Sequence, residues 1–447
     1  MKSDTRNILL FGAGKSATVL INYLLARSAL CKWTLTVVDA DLQLARSKIN
    51  AHPYAVALSF DITNTEERVK VISHTDIVIS MLPPALHYIV AQDCITFRKN
   101  LLTASYLDEK IKALQSEINR HQLLFLCEMG LDPGIDHMSA MQMIDHIKDQ
   151  GGLIKSFKSH CGGLLAPESD DNPWHYKITW NPANIVNAGK AGAVYKENGR
   201  IIKINYPDIF DQHGTVSIPG YGPYACYPNR DSLPYMSLYR LESISTFIRT
   251  TLRHPHFCTG WKYVIKAGLT NEDPAVSAKN YTGKPIAEWF LHCLRIHTQS
   301  GSFTDFLTNQ VAAEERILVQ ELFSYLGLLS NEIIPGALSA HSSVLQYLLE
   351  SRLKLSLQDK DMIVMLHEID YEVEGKDYEA KSSMTIKGED HLITAMAKTV
   401  GLPLAIAAEL ILNNSIRLTG LHIPVIKDIY EPVLAKLKDN KIYFREI

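Results

Sequence analysis

Ile8-Leu9-Leu10-Phe11-Gly12-Ala13-Gly14-Lys15-Ser16-Ala17 decides the fold. Four apolar residues in a row read as a buried strand, and the G-x-G-x-x-A that follows marks a tight turn into a helix. Gly12 permits the turn, Gly14 lets the backbone approach a pyrophosphate, and Ala17 allows the helix to pack closely on the strand. The helix N-terminus then offers free amides and the positive end of its dipole, with Lys15 and Ser16 beside the phosphates. Gly14-Lys15-Ser16 also looks like the end of an ATP-binding loop, but that motif requires Gly at position 9, and Leu9 stands there.

Outward from this loop, short β-branched runs alternate with helix-length segments as far as Met129. The runs are Ile8 to Phe11, Thr34 to Val38, Ala55 to Phe60, Asp76 to Met81, Leu101 to Ala104 and Leu123 to Cys127. Alternation of this kind predicts an α/β domain over residues 1–129 with a parallel, doubly wound sheet. Asp39 ends the second strand, where a carboxylate accepts hydrogen bonds from an adenosine ribose and repels a 2′-phosphate. NAD is therefore the preferred cofactor, with NADP as the alternative. Asp39 also reads as a helix N-cap, for which Asp is a favoured residue.

Past Gly130 the texture changes to Gly, Pro and aromatic residues, as in Cys161-Gly162-Gly163, Asn172-Pro173-Trp174 and Gly220-Tyr221-Gly222-Pro223-Tyr224. Such a stretch predicts loops around a pocket. Apolar residues then recur at helical spacing (Ile286, Trp289, Phe290, Cys293; Leu318, Leu322, Tyr325), which predicts an inserted helical subdomain over 263–354. Asp361 to Glu372 alternates like a strand with Met384 to Ile386 as its partner. An α+β domain is thus expected in 130–262 and 355–390. His391 to Leu412 has a helical pattern, and whether 391–447 packs back on the first domain is left open by pattern alone.

Bulk properties exclude several classes. The 447 residues are 46% hydrophobic and 21% charged with a formal net charge of −3, and no basic block tracks a phosphate backbone, so no nucleic-acid partner is expected. Met1 to Asn7 is polar and leaves no room for a signal peptide, which predicts a cytoplasmic protein. Leu123 to Leu126 and Leu402 to Leu412 are short of the roughly 20 apolar residues that a membrane span needs, so no membrane contact is expected. The seven cysteines include no C-x-x-C pair and no zinc spacing, so reduced thiols and no metal are expected.

Gly130-Leu131-Asp132-Pro133-Gly134-Ile135-Asp136-His137-Met138 resembles the GLDPGxDHM segment of the saccharopine dehydrogenases of the glutamate-forming type. Further matches run in the family's order: Cys161-Gly162-Gly163, Ala166-Pro167-Glu168, Asn172-Pro173, Tyr176-Lys177, Tyr227-Pro228-Asn229-Arg230-Asp231-Ser232, Asp361 to Met365, and Met396 to Pro403. The resemblance implies a Rossmann domain, a substrate domain that also makes a homodimer, and an inserted helical domain. It implies hydride transfer between a nicotinamide and the carbon-nitrogen bond of saccharopine, giving L-glutamate and 2-aminoadipate 6-semialdehyde, or the reverse condensation.

Carried onto this chain, the resemblance places Ser105, Tyr106, Asp132, Cys161, Arg230 and Thr251 at the substrate, with Asp132, Cys161 and Lys177 as candidates for proton transfer. Asp61, Ile62, Ser80 and Leu82 match positions beside the cofactor. Residue chemistry agrees. Arg230 offers a planar fork for a carboxylate, although it also reads as a surface partner of Asp231. Asp132 follows the last strand, where open sheets bind ligands, although Asp-Pro-Gly is also a turn. Cys161 reads otherwise as a small buried hydrophobe, and a desolvated Lys177 titrates near neutrality.

Three departures stand out: His160 where relatives carry Tyr, Leu165 where they carry Pro, and Thr250 where they carry Gly, each expected to line the pocket. His160, beside Cys161, is expected to tune the protonation of the reacting site near neutral pH, and it reads equally as a structural histidine. The competing readings are a carboxynorspermidine or lysine 6-dehydrogenase, and a catalytically silent NAD-binding scaffold.

Overall fold

The computed structural model describes residues 5–211, 213–273, 278–336, 338 and 340–447. Two compact units partition the chain: Met1–Leu153 with Val373–Lys376 and Leu392–Glu446, and Ile154–Glu372 with Asp377–His391 and Ile447.

In the first unit β1 (Arg6–Phe11), β2 (Trp33–Val38), β3 (Ala55–Leu58), β4 (Ile77–Ser80), β5 (Asn100–Thr103) and β6 (Leu124–Leu126) pair in the order β6-β5-β4-β1-β2-β3. All of these pairings are parallel. The strand order reverses between β1 and β4, the switch point at which open α/β sheets bind ligands. Connections run through α1 (Ala17–Cys31), α2 (Leu42–Ile49), α3 (Thr65–Ser73) and α4 (His87–Thr96), and α5 (Ile135–Asp149) follows β6. Strand interiors such as Ile8, Leu10, Leu35, Ile77 and Ile79 are buried, as a sheet covered on both faces requires.

The chain end belongs to this unit. Gly420–His422 adds a parallel strand to β6, and the helix Lys427–Asp439 packs on α5. The 18-residue helix Ala395–Leu412 is long and apolar enough by itself to cross a membrane, because small apolar residues extend the Leu402 to Leu412 stretch upstream. Most of it is buried, and it packs on α1 as a core helix. Gly401 makes that crossing close: a Cβ there would sit 2.9 Å from the Leu20 amide nitrogen and 3.0 Å from the Ser16 carbonyl oxygen.

In the second unit β7 (Leu153–Leu165), β8 (Gly214–Ile218), β9 (Gly222–Pro228), β10 (Thr246–Arg253), β11 (Asp361–Val373) and β12 (Lys376–Lys387) follow the order β8-β9-β10-β7-β11-β12. The glycine texture around Cys161 thus builds a central strand and not a loop. A Cβ on Gly162 would lie 2.7 Å from that of Leu252, so the glycine admits a close neighbour on β10. One core of this unit joins α6 (Pro255–Lys266), α7 (Ile286–Thr298), α8 (Arg316–Tyr325) and α9 (His341–Arg352) through Trp174, Phe257, Trp261, Trp289, Phe290 and Phe323. A smaller cluster, Leu164, Leu252, Met362, Val364 and Leu366, lies on the sheet.

Candidate active site

Strand ends in the first unit gather the residues expected at the cofactor. Gly12 takes φ +96°, and a Cβ there would sit 2.9 Å from the Met81 carbonyl oxygen, so only glycine fits. Gly14 has open space where a side chain would be, Gly14 and Lys15 are exposed, and Ala17 is buried. Ser16 precedes α1 without a side-chain cap. This cradle of small residues at a helix N-terminus fits a pyrophosphate.

Asp39 does not cap α2; Asp41 does, accepting the Gln43 and Leu44 amides. Asp39 instead struts the glycine loop, its Oδ2 accepting the Ala13 amide at 2.7 Å and its Oδ1 the Asp41 amide at 3.0 Å. Asp61 accepts the Thr63 amide at 2.9 Å and hydroxyl at 2.8 Å, which hold its carboxyl below the usual range. The Ile62 carbonyl accepts from Arg68, itself paired with Asp93 at 2.6 Å. Leu82 is half-buried after β4.

Ser80 and Ser105 are brought together by a residue that the sequence reading missed. Buried His87 places Nδ1 2.8 Å from Ser80 Oγ and Nε2 2.7 Å from Ser105 Oγ. Burial pulls its pKa down to about 4, so the ring is neutral at pH 7 and takes a hydrogen from one side while giving one to the other. The result is a polar chain linking the ends of β4 and β5.

Asp132 lies half-buried in a turn in which the Gly130 amide donates to the Pro133 carbonyl. The backbone reading as a turn is therefore right, and the carboxylate also accepts from the Tyr106 hydroxyl at 3.4 Å. Below it Glu128, buried and equally unflagged by sequence, accepts the Leu107 amide at 3.0 Å and pairs with His137 at 2.8 Å.

In the second unit, register sorts the candidates onto two faces. Thr251 pairs with Cys161 and with Tyr227, whereas Thr250 pairs with His160. Side chains alternate along a strand, so Cys161, Thr251, Tyr227 and Arg253 share one face while His160 and Thr250 point to the other. On that opposite face His160 Nδ1 lies 2.7 Å from Thr250 Oγ1, and Nε2 lies 3.2 Å from Glu368, which also binds Lys381 at 3.0 Å. The His160 hydrogen bond and Lys381 hold Glu368 at a pKa of about 2 against burial. The expected tuning of the reacting site through Cys161 is therefore corrected: adjacency in sequence places the two residues on opposite sides of the sheet, and the contacts of His160 with Thr250 and Glu368 fit the structural alternative.

Arg253 is the second residue that the sequence reading passed over. It is 8% exposed, and its Nη1 donates to the backbone carbonyls of Leu252 at 2.9 Å and Gly163 at 3.4 Å. Its guanidinium lies 5.4 Å from the Tyr176 ring and 5.6 Å from that of Phe257, and Nε has no hydrogen-bond partner. Its electrostatic neighbours are the phenols Tyr227 and Tyr176 and the thiols Cys258 and Cys161. Among the described residues no carboxylate pairs with it. A buried cation so placed attracts an anion.

Two further candidates stand differently from expectation. Lys177 is buried but clamped between Asp171 at 2.7 Å and Asp359 at 2.8 Å. Burial lowers its pKa, yet the two carboxylates outweigh burial and the net shift is upward, so titration near neutrality is corrected to a fixed ion pair. Arg230 is exposed at φ +56° on a two-residue strand beside Ala193, and Asp231 spends its Oδ1 on the Leu233 amide.

Comparison with known proteins follows from this geometry. Residues 8–126 match the saccharopine dehydrogenase NADP binding domain, and residues 130–442 match the saccharopine dehydrogenase C-terminal domain. The chain belongs to the saccharopine dehydrogenase family. Saccharopine dehydrogenase [NADP(+), L-glutamate-forming] of Saccharomyces cerevisiae is 32% identical across 99% of both chains. The apo structure of the yeast enzyme superposes with a TM-score of 0.87, 31% identity and 99% coverage of each chain. Alpha-aminoadipic semialdehyde synthase of Arabidopsis thaliana is 33% identical over 93% of this chain but 41% of its own length, and the mitochondrial Bos taurus protein is 32% identical over 98% and 47%. The chain thus spans about half the length of these synthases.

Within the family the first unit is a dinucleotide-binding domain, and the names of its relatives favour NADP over the NAD preference read from Asp39. Two of the three departures, His160 and Thr250, turn out to be one hydrogen-bonded pair.

Proposed function

We propose that this chain oxidises saccharopine at its secondary amine to L-glutamate and 2-aminoadipate 6-semialdehyde, or runs the reverse condensation, with NADP as cofactor. The observation that carries the reading is the likeness to the yeast enzyme along 99% of both chains. The nicotinamide, when bound, takes up the hydride; the amine nitrogen loses a proton, and water splits the resulting imine. The chain's own residues bind and steer. The glycine cradle and α1 hold the pyrophosphate. Asp39, committed to the Ala13 and Asp41 amides, need not hold a ribose hydroxyl that NADP lacks. Arg230 and Arg253 supply cations for a substrate with several carboxylates, and the proton carrier is sought between Asp132 and Cys161.

The reading includes a homodimer, supported by half-buried Val216, Tyr221 and Tyr224 beside the smaller sheet cluster. Light scattering on the purified chain tests it. The activity test is NADPH formation with saccharopine, set against L-lysine and carboxynorspermidine. Turnover of either competitor without saccharopine moves the substrate assignment, and cofactor binding without turnover of any amine leaves a silent scaffold.

A further inference from the structure

His175 meets His254 and His256 in the second unit although about eighty residues separate it from that pair in the sequence. Each offers a ring nitrogen within 4.8 Å of the others, and all three are half-buried. Ring centroids are 3.6 Å apart for His175 and His254, 4.9 Å for His175 and His256, and 4.7 Å for His254 and His256.

Three neighbouring imidazoles have no structural need of one another, since each is a polar ring set against another polar ring. What orients them is specific. His175 sits at φ +48°, and its Nδ1 is 2.6 Å from the Asp170 carboxylate. His256 Nδ1 is 3.3 Å from the Pro173 carbonyl. Both contacts fix the proton on Nδ1 and leave Nε2 with its lone pair to coordinate, the arrangement that carboxylates and carbonyls impose on metal-bound histidines. His254 is the N-cap of α6, its Nδ1 accepting the His256 amide at 3.2 Å.

We infer that these three histidines form a site for a borderline divalent cation of the zinc, cobalt, nickel and copper class, with Asp170 as the outer carboxylate. The ligand set decides the class: three imidazoles without a thiolate suit these ions and not calcium or magnesium. Metal-nitrogen bonds of about 2.0–2.1 Å bring tetrahedral ligand pairs to about 3.4 Å, so nitrogens now within 4.8 Å of one another close by up to roughly 1.4 Å. His254 exchanges its capping bond for a coordinate bond, and water completes the shell. The ion then ties the turn carrying Asp170, His175 and Lys177 to the start of α6, next to Arg253. None of these four residues carries a reacting role in the proposed activity, and metal binding is read without substrate, so the site is tested independently of that activity.

The experiment titrates the full chain, dialysed against chelator, with Co²⁺ and follows visible d–d absorption, then displaces the ion with Zn²⁺. The expected result is a saturable tetrahedral spectrum for a single ion per chain, with a rise in Tm that chelator reverses. His175→Ala and His256→Ala abolish it. His254→Asn, which keeps a good N-cap, abolishes it without unfolding α6, and Asp170→Asn weakens affinity by about 10- to 100-fold. The surface variant His146→Ala changes nothing. A spectrum unaltered in the His175 and His256 variants, one dominated by thiolate charge transfer, or no saturable spectrum at all overturns the site.

Discussion

Replacing Arg253 with Met separates a substrate anchor from a structural cation. Arg253 is buried, Nε has no acceptor, and its hydrogen bonds reach only the Leu252 and Gly163 carbonyls. Exchanging a buried charge for an apolar side chain of similar volume stabilises by about 1–4 kcal/mol when the charge is poorly compensated. Against this stand two cation-π contacts at about 0.5–1 kcal/mol each and two carbonyls left without donors, about 1 kcal/mol apiece. The terms nearly cancel, so the free variant should unfold in urea within about 1 kcal/mol of the parent. Binding is different: removing the cation that receives a substrate carboxylate costs roughly 2–5 kcal/mol, a rise in KM of about two to three orders of magnitude with kcat less affected. Urea melts and steady-state kinetics with saccharopine measure both. A variant destabilised by well over 1 kcal/mol with an unchanged KM makes Arg253 a structural residue and refutes the reasoning.

Other outcomes follow from the same geometry. His87 is neutral when folded, with its pKa pulled from 6.5 to about 4 by burial, so the unfolded chain takes its proton first. Stability is then full above pH 6.5 and falls by about 2–3 kcal/mol as pH drops toward 4; His87→Gln should flatten that acid limb, and an unchanged pH profile of unfolding would count against it. Asp39→Ala should loosen the glycine loop and raise KM for NADP and NAD alike. If it instead improves NADP selectively, Asp39 faces the 2′-phosphate and not the loop. Asp132→Asn and Cys161→Ser separate the proton carriers: loss of the true one should lower kcat by about 10²–10⁴ and remove one limb of the pH-rate profile. Near wild-type turnover in both would eliminate the pair.

The first unit was legible because its signal is local. Apolar runs of strand length and a glycine loop at one strand end specify a parallel sheet, and the observed strands fall within a residue or two of those expected. The second unit was less so. Cys161-Gly162-Gly163 looked like a loop because the partner that makes Gly162 sensible, Leu252, is far away in sequence. Lys177 looked like a base because neither Asp359 nor its fold-back on the lysine is encoded near it. The opposed faces of His160 and Cys161 were in principle readable, since alternation alone separates neighbours once the segment is known to be a strand. His87 and Arg253 carry no spacing signature; burial makes them distinctive, and burial of a lone polar residue is not a local property.

The dinucleotide unit is completed by residues that are made only after the second unit has been synthesised through His391. β6 acquires its outer neighbour only when Gly420–His422 arrives, and α1 gains its largest helix contact only with Ala395–Leu412. Throughout synthesis of the intervening second unit, the nascent chain therefore carries an open sheet edge and an uncovered apolar helix, both sticky surfaces. The order of translation runs against the order of assembly. Truncations that remove residues 392–447 should accordingly damage the nucleotide pocket built on residues 8–17, while leaving the second unit's own core intact.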